Sequence, residues 1–127
     1  MKNGFTLIEL IVVIIIIGVL ATLGFTQYVR VVEKGRSAEA RVILGQIRSA
    51  EIAYNAEYAT WGASANIYVS APSSCVNTHY FSYLASVGSS SGTATRCTSG
   101  GKPPVGPSYS ITITYSTGVW GGTAGYY

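Results

Sequence analysis

Glu9 is the one ionisable residue between Phe5 and Phe25, in the run FTLIELIVVIIIIGVLATLGF. A helix over that run rises about 31 Å, close to the hydrocarbon thickness of a bilayer. A carboxylate inside such a span costs about 2.5–3.5 kcal/mol on insertion scales, and it is usually there for a partner. No Lys, Arg or His lies in the run. The partner must come from another chain or from the segment's own N-terminus. The chemistry this spacing can do is therefore pairing of buried charge, not catalysis.

The other eligible residues are few. His79 is the single histidine and lies beside aromatic residues, a setting that favours a structural role. Aspartate is absent and no acidic residue follows Glu57. The C-terminal half cannot assemble a carboxylate dyad or a carboxylate-rich cation site of its own. Gly100-Gly101-Lys102 lacks the spacing and the following helix of a phosphate loop. We expect no catalytic residue, no metal site and no cofactor, so the chain reads as a non-enzyme. Cys75 and Cys97 lie far beyond the apolar run. With Lys2 on the inner side, the positive-inside rule puts both on the oxidising side, where a disulfide is expected. Closing a loop of about 20 residues contributes roughly 3 kcal/mol.

Ahead of the run stands Met1-Lys2-Asn3-Gly4, which is positive and too short for a cleaved secretory signal. Gly4-Phe5-Thr6-Leu7-Ile8-Glu9-Leu10, followed by an Ile/Val run, resembles the N-terminus of type IV pilins and pseudopilins. The resemblance implies several things. A prepilin peptidase would cut between Gly4 and Phe5. The amino group freed on Phe5 would be N-methylated. Subunits would leave the inner membrane, with the pilus assembly machinery, and pack their apolar helices into a homo-oligomeric helical filament. Glu9 would then pair with the Phe5 amino group of a neighbour. Two such charges attract far more strongly in a medium of low effective dielectric than in water.

Length and composition allow one small domain besides this helix: 127 residues, 48% hydrophobic and 10% charged. The formal charge is +3, and less once Lys2 is lost with the leader. That balance is too weak to argue for nucleic acid as a specific partner.

The elements that must position these residues follow from periodicity. No proline occurs before Pro72, so one helix is expected over 5–61. Many pilins carry a proline near the position of Thr26, where their helix bends or melts. This sequence departs from that pattern, and Gly24 with Thr26 is its weak point. Ile43, Ile47, Ala50, Tyr54, Tyr58 and Trp61 recur at spacings of three or four, an apolar stripe. Arg36 with Glu39, and Arg48 with Glu51, sit at i,i+3 and are expected to pair. Gly62 reads as the helix stop. Residues 63–77 read as a loop. After it the period becomes two, with strands expected over 81–87, 93–98 and 109–115 and a last one near Val119-Trp120. A turn is expected over 88–92 and a loop over 100–107. Phe25 with Tyr28, and Tyr54 with Tyr58, stand at contact spacing and read as packing rather than as a path for electrons.

The expected fold is α+β: a long N-terminal helix against a small antiparallel sheet of three or four strands. Its parts are a leader (1–4), an apolar transmembrane or filament-core helix (5–27), an amphipathic helix (28–61), and a loop-and-sheet head (62–127). The leading expectation for function is a major pilin-like subunit of a type IV pilus: a single-pass inner-membrane precursor, then an extracellular filament. The alternatives are a pseudopilin of a type II secretion system, in a periplasmic pseudopilus, and a monomeric signal-anchored extracytoplasmic binding domain.

Overall fold

A computed structural model describes residues 4–62, 66–85, 88–102 and 108–127. The expectations that touch Lys2, Ser86, Val87 and residues 63–65 and 103–107 lie outside the described residues. One helix, α1 (Leu7–Tyr58), is followed by four strands: β1 (Phe81–Leu84), β2 (Ser91–Arg96), β3 (Ser110–Thr114) and β4 (Trp120–Gly122). The chain divides into two compact units, Met1–Val32 and Glu33–Tyr127.

In the first unit the described residues are helical from Leu7 onward, and up to Phe25 Glu9 is the one ionisable residue on any side. An 18-residue window reaches a mean hydropathy of 2.9, and none of it is buried. By length and composition this helix can cross a membrane. Its hydroxyls are satisfied locally: Thr22 Oγ1 donates to Val19 O at 2.7 Å and Thr26 Oγ1 to Leu23 O at 3.1 Å. The helix continues through Gly24 and Thr26 without interruption.

In the second unit the buried face of α1 is Glu33, Ser37, Ala40, Leu44, Ile47 and Glu51, a regular three-and-four spacing. The expected stripe was rotated relative to this. It shares Ile47; Ile43, Ala50, Tyr54 and Trp61 flank the core, and Tyr58 is exposed. The helix ends at Tyr58 rather than Trp61, because Ala59 turns left-handed (φ 55°) while its N–H still reaches Asn55 O at 2.9 Å. That conformation costs a residue with a Cβ about 1 kcal/mol. Gly62, the expected stop, has a different task described below.

The sheet is an antiparallel meander in the order β1-β2-β3-β4. Phe81 pairs with Arg96, Ala94 with Ile111, and Ile113 with Trp120. Alternation places Phe81, Tyr83, Ala94, Ile111 and Ile113 in one core with Ala40, Leu44 and Ile47 of the helix. Thr93, Thr95, Thr112 and Thr114 face outward. β2 starts at Ser91, inside the expected turn, and β1 stops at Leu84. β4 begins one residue later than expected and includes Gly122. That glycine sits at φ 122°, where a Cβ would lie 2.2 Å from Ser110 O. Cys75 and Cys97 form a disulfide with Cα atoms 5.6 Å apart, joining the connection after α1 to the end of β2.

Candidate functional site

Gly4 and Phe5 precede the first helical turn. Phe5 is 85% exposed, and nothing lies within 4 Å of where a Gly4 side chain would begin. Thr6 caps the helix. Its Oγ1 accepts the Glu9 N–H at 3.3 Å, while Glu9 Oε2 accepts both the Thr6 N–H and the Thr6 hydroxyl at 2.8 Å. This is a reciprocal capping box, Thr-x-x-Glu. It answers one of the two origins expected for the partner of Glu9: the segment's own N-terminus supplies two hydrogen bonds. Both fall on Oε2. Among the described residues Oε1 accepts none, so the carboxylate keeps an oxygen for a second partner.

The carboxylates of the second unit are used differently. Arg96 is the last residue of β2, where alternation turns it inward behind the small Gly92 and Ala94. Its Nε donates to Glu33 Oε2 at 3.0 Å and its Nη2 to Glu33 Oε1 at 3.3 Å, a two-point pairing. Its Nη1 donates to Tyr80 O, Cys97 O and Lys102 O. Arg36 also pairs with Glu33, and Tyr109 OH donates to Glu33 Oε2 at 3.2 Å. Burial opposes ionisation of Glu33, but the hydrogen bonds and charges of Arg96 and Arg36 outweigh it and hold the carboxyl below its ordinary value.

Glu39 accepts the Tyr80 N–H at 3.0 Å and the Tyr83 hydroxyl at 3.3 Å. Glu51 is fully buried and accepts the Gly62 N–H at 2.8 Å on Oε2. Among the described residues its Oε1, like the Tyr115 hydroxyl, has no hydrogen-bond partner. Burial pushes the Glu51 carboxyl up, partly offset by the Gly62 N–H. Each of these glutamates faces a core tyrosine of the head. Burial, then the nearby carboxylate, pushes the phenols of Tyr83 and Tyr109 well up and that of Tyr115 to about 12.

The two expected local ion pairs are therefore replaced. Arg36 pairs with Glu33 rather than Glu39, whose carboxylate is taken by the Tyr80 N–H and the Tyr83 hydroxyl. Arg48 donates to Tyr115 O at 2.9 Å rather than to Glu51, which points into the core. His79 shares a 2.9 Å hydrogen bond with Thr78 Oγ1. Among the described residues no three His, Cys, Asp or Glu side chains gather to hold a metal. The Glu33–Arg96 network was missed in the sequence. Its signal was there: an arginine at an inward-facing strand position needs an acidic partner.

Residues 1–25 match the family model described as the prokaryotic N-terminal methylation motif. No curated protein matches the chain. The matched residues hold Gly4, Phe5 and Glu9, and they stand here at the head of an exposed apolar helix in a chain of one long helix and a four-stranded antiparallel sheet. The motif implies an inner-membrane-anchored precursor processed by prepilin peptidase and handled by pilus assembly machinery, and it points to a structural protein. The chain carries the class III prepilin signal shared by type IV pilins and pseudopilins.

Proposed function

We propose that this chain is a major pilin-like structural subunit of a type IV pilus, assembled through its apolar N-terminal helix. The observation that carries the reading is the exposed Glu9 at the head of a helix no part of which is buried in its apolar window. Cleavage between Gly4 and Phe5 would free an amino group on Phe5, the site of methylation. Thr6 and Glu9 both survive that cut, so the capping box persists in the processed chain. A neighbour's Phe5 amino group would then reach Glu9 Oε1, the oxygen the cap leaves open. Such a pair among Ile and Val side chains is strong and fixes axial register.

The test is to shear filaments from cells bearing this chain and weigh the intact subunit. The expected mass begins at Phe5 and carries one methyl group. Filaments whose subunit retains Met1 would overturn the reading. Processed subunit confined to the periplasm, with no filament outside the cell, would move the assignment to a secretion pseudopilin.

A further inference from the structure

Two clefts among the described residues of the second unit differ in character. The first, about 270 Å³, is lined by Lys34, Ser37 and Arg41 of α1 and by Gly125, Tyr126 and Tyr127. It is cationic: Lys34 and Arg41 stand two turns apart, on the same face to within about 20°. Arg41 donates weakly to Tyr126 O at 3.5 Å. Among the described residues the ion pairs are Arg36–Glu33 and Arg96–Glu33, so neither Lys34 nor Arg41 pairs with a glutamate.

The second cleft, about 550 Å³, is lined by Tyr54, Glu57, Tyr58, Asn66 and Tyr68. It joins a carboxylate to an aromatic wall. The Tyr54 and Tyr58 rings lie 4.5 Å apart, Tyr68 is 95% exposed, and the adjacent Glu57 carboxylate pushes the Tyr58 phenol up. Carboxylate and ring faces together suit an ammonium or guanidinium group. Among the described glutamates of this unit, Glu57 is the one left to solvent. Glu33 and Glu51 are buried, and Glu39 is engaged by Tyr80 and Tyr83.

Helix geometry decides how the two clefts can meet. Glu57 lies about 160° around α1 from Arg41 and about 24 Å further along it. The charges cannot meet within one chain. They cannot both face one two-fold partner either, because they point nearly opposite ways. Contact between them is heterologous, the kind that runs on from copy to copy in an open filament when its rotation does not close a ring.

We propose that the Lys34–Arg41 cleft of one subunit docks against the Glu57–Tyr58 cleft of the next, a head-to-head contact between successive copies of this chain. This deepens the filament reading and rests on it. Charge complementarity of this kind sets register and partner choice as much as affinity.

The test uses the full chain in cells. Glu57→Lys, and separately Lys34→Glu with Arg41→Glu, should each lower the yield of sheared filaments about fivefold or more, the effect of roughly 1 kcal/mol per contact. Combining all three substitutions should restore the yield, because the charges are exchanged rather than removed. Unchanged yield in either reversal overturns the proposal. So does a combined variant that stays as low as the single ones while its subunit is present in the membrane with the Cys75–Cys97 bond intact. A second readout needs no filament. Chains bearing Arg41→Cys and chains bearing Glu57→Cys, expressed together and mildly oxidised, should give a linked dimer that neither gives alone. No dimer overturns the contact. A dimer in cells whose unaltered chain makes no filament upholds the contact and removes the pilus reading.

Discussion

Glu51 Oε2 accepts the backbone N–H of Gly62 at 2.8 Å, so a fully buried carboxyl fastens the segment after α1 to the helix it has just left. The sign of its pH dependence follows from the raised folded value. Below the ordinary glutamate range both states hold the proton, and Glu51 does not oppose folding. Between that range and the raised value only the native state holds it, so stability falls as pH rises. Above, a constant penalty remains. Glu51→Gln keeps an acceptor for Gly62 and removes the charge. It should raise the urea midpoint at pH 7 by the equivalent of about 1 kcal/mol and flatten the loss of stability above pH 5. Near-ultraviolet circular dichroism of the detergent-solubilised chain reads both. A lower midpoint at pH 7 would show that the carboxylate charge itself is needed.

Glu9 has two tasks, and two substitutions separate them. Glutamine can take the glutamate position of a capping box; leucine cannot. Glu9→Gln should leave membrane insertion and processing intact and strongly reduce sheared filaments, because only the charge is lost. Glu9→Leu should reduce filaments equally and also fray the first turn, at a cost of about 1 kcal/mol. Normal filament yield from Glu9→Gln, measured by electron microscopy and immunoblot of the sheared fraction, would leave the cap as the whole reason for the residue.

Arg96→Met leaves Glu33 buried without its two-point partner, although Arg36 remains. Truncating one member of a buried pair costs about 3–5 kcal/mol. The full chain should lose much of its resistance to urea at pH 7. Glu33→Leu added to Arg96→Met should recover part of that loss. In the unaltered chain the Glu33 carboxyl is held below its ordinary value, so its contribution is present above the ordinary range and disappears as pH falls through the folded value. A loss under 1 kcal/mol for Arg96→Met would mean that the network is incidental.

Cys97→Ser should reduce stability by about 3 kcal/mol and lower the amount of folded subunit, while the apolar helix still inserts. Mapping of non-reduced peptides should find Cys75 linked to Cys97. Two free, alkylatable thiols in the native chain would contradict the structure.

The long helix was legible because its signals are local: an unbroken apolar run, then spacings of three and four. β3 was legible because Tyr109, Ile111, Ile113 and Tyr115 alternate with Ser and Thr. β2 was harder. Its buried positions are Gly92, Ala94 and Arg96, none of which looks apolar enough to mark an inner face. The rotation of the helix face was missed because two of its buried positions, Glu33 and Glu51, are acidic, and burial of a carboxylate depends on partners 63 and 11 residues away. The capping box could be read from Thr6 and Glu9 alone, since its two residues stand three apart at the start of one helix. Ion pairs at i,i+3 could not be settled locally, since Glu39 finds a backbone N–H that only the tertiary fold supplies.

Glu33 is the first residue of the second unit, and Val32 is the last of the first. Glu33 is also the first residue of the buried face of α1. There it meets Arg96, which is bonded in turn to the carbonyls of Tyr80, Cys97 and Lys102, with the disulfide one residue further on. The Glu33–Arg96 pair thus joins the start of the buried face of α1 to β2, to the connection before β1 and to the residue that carries the disulfide. Because one side chain holds so many separate backbone stretches, Arg96→Met is expected to lower the rupture force of the head under pulling as well as its equilibrium stability.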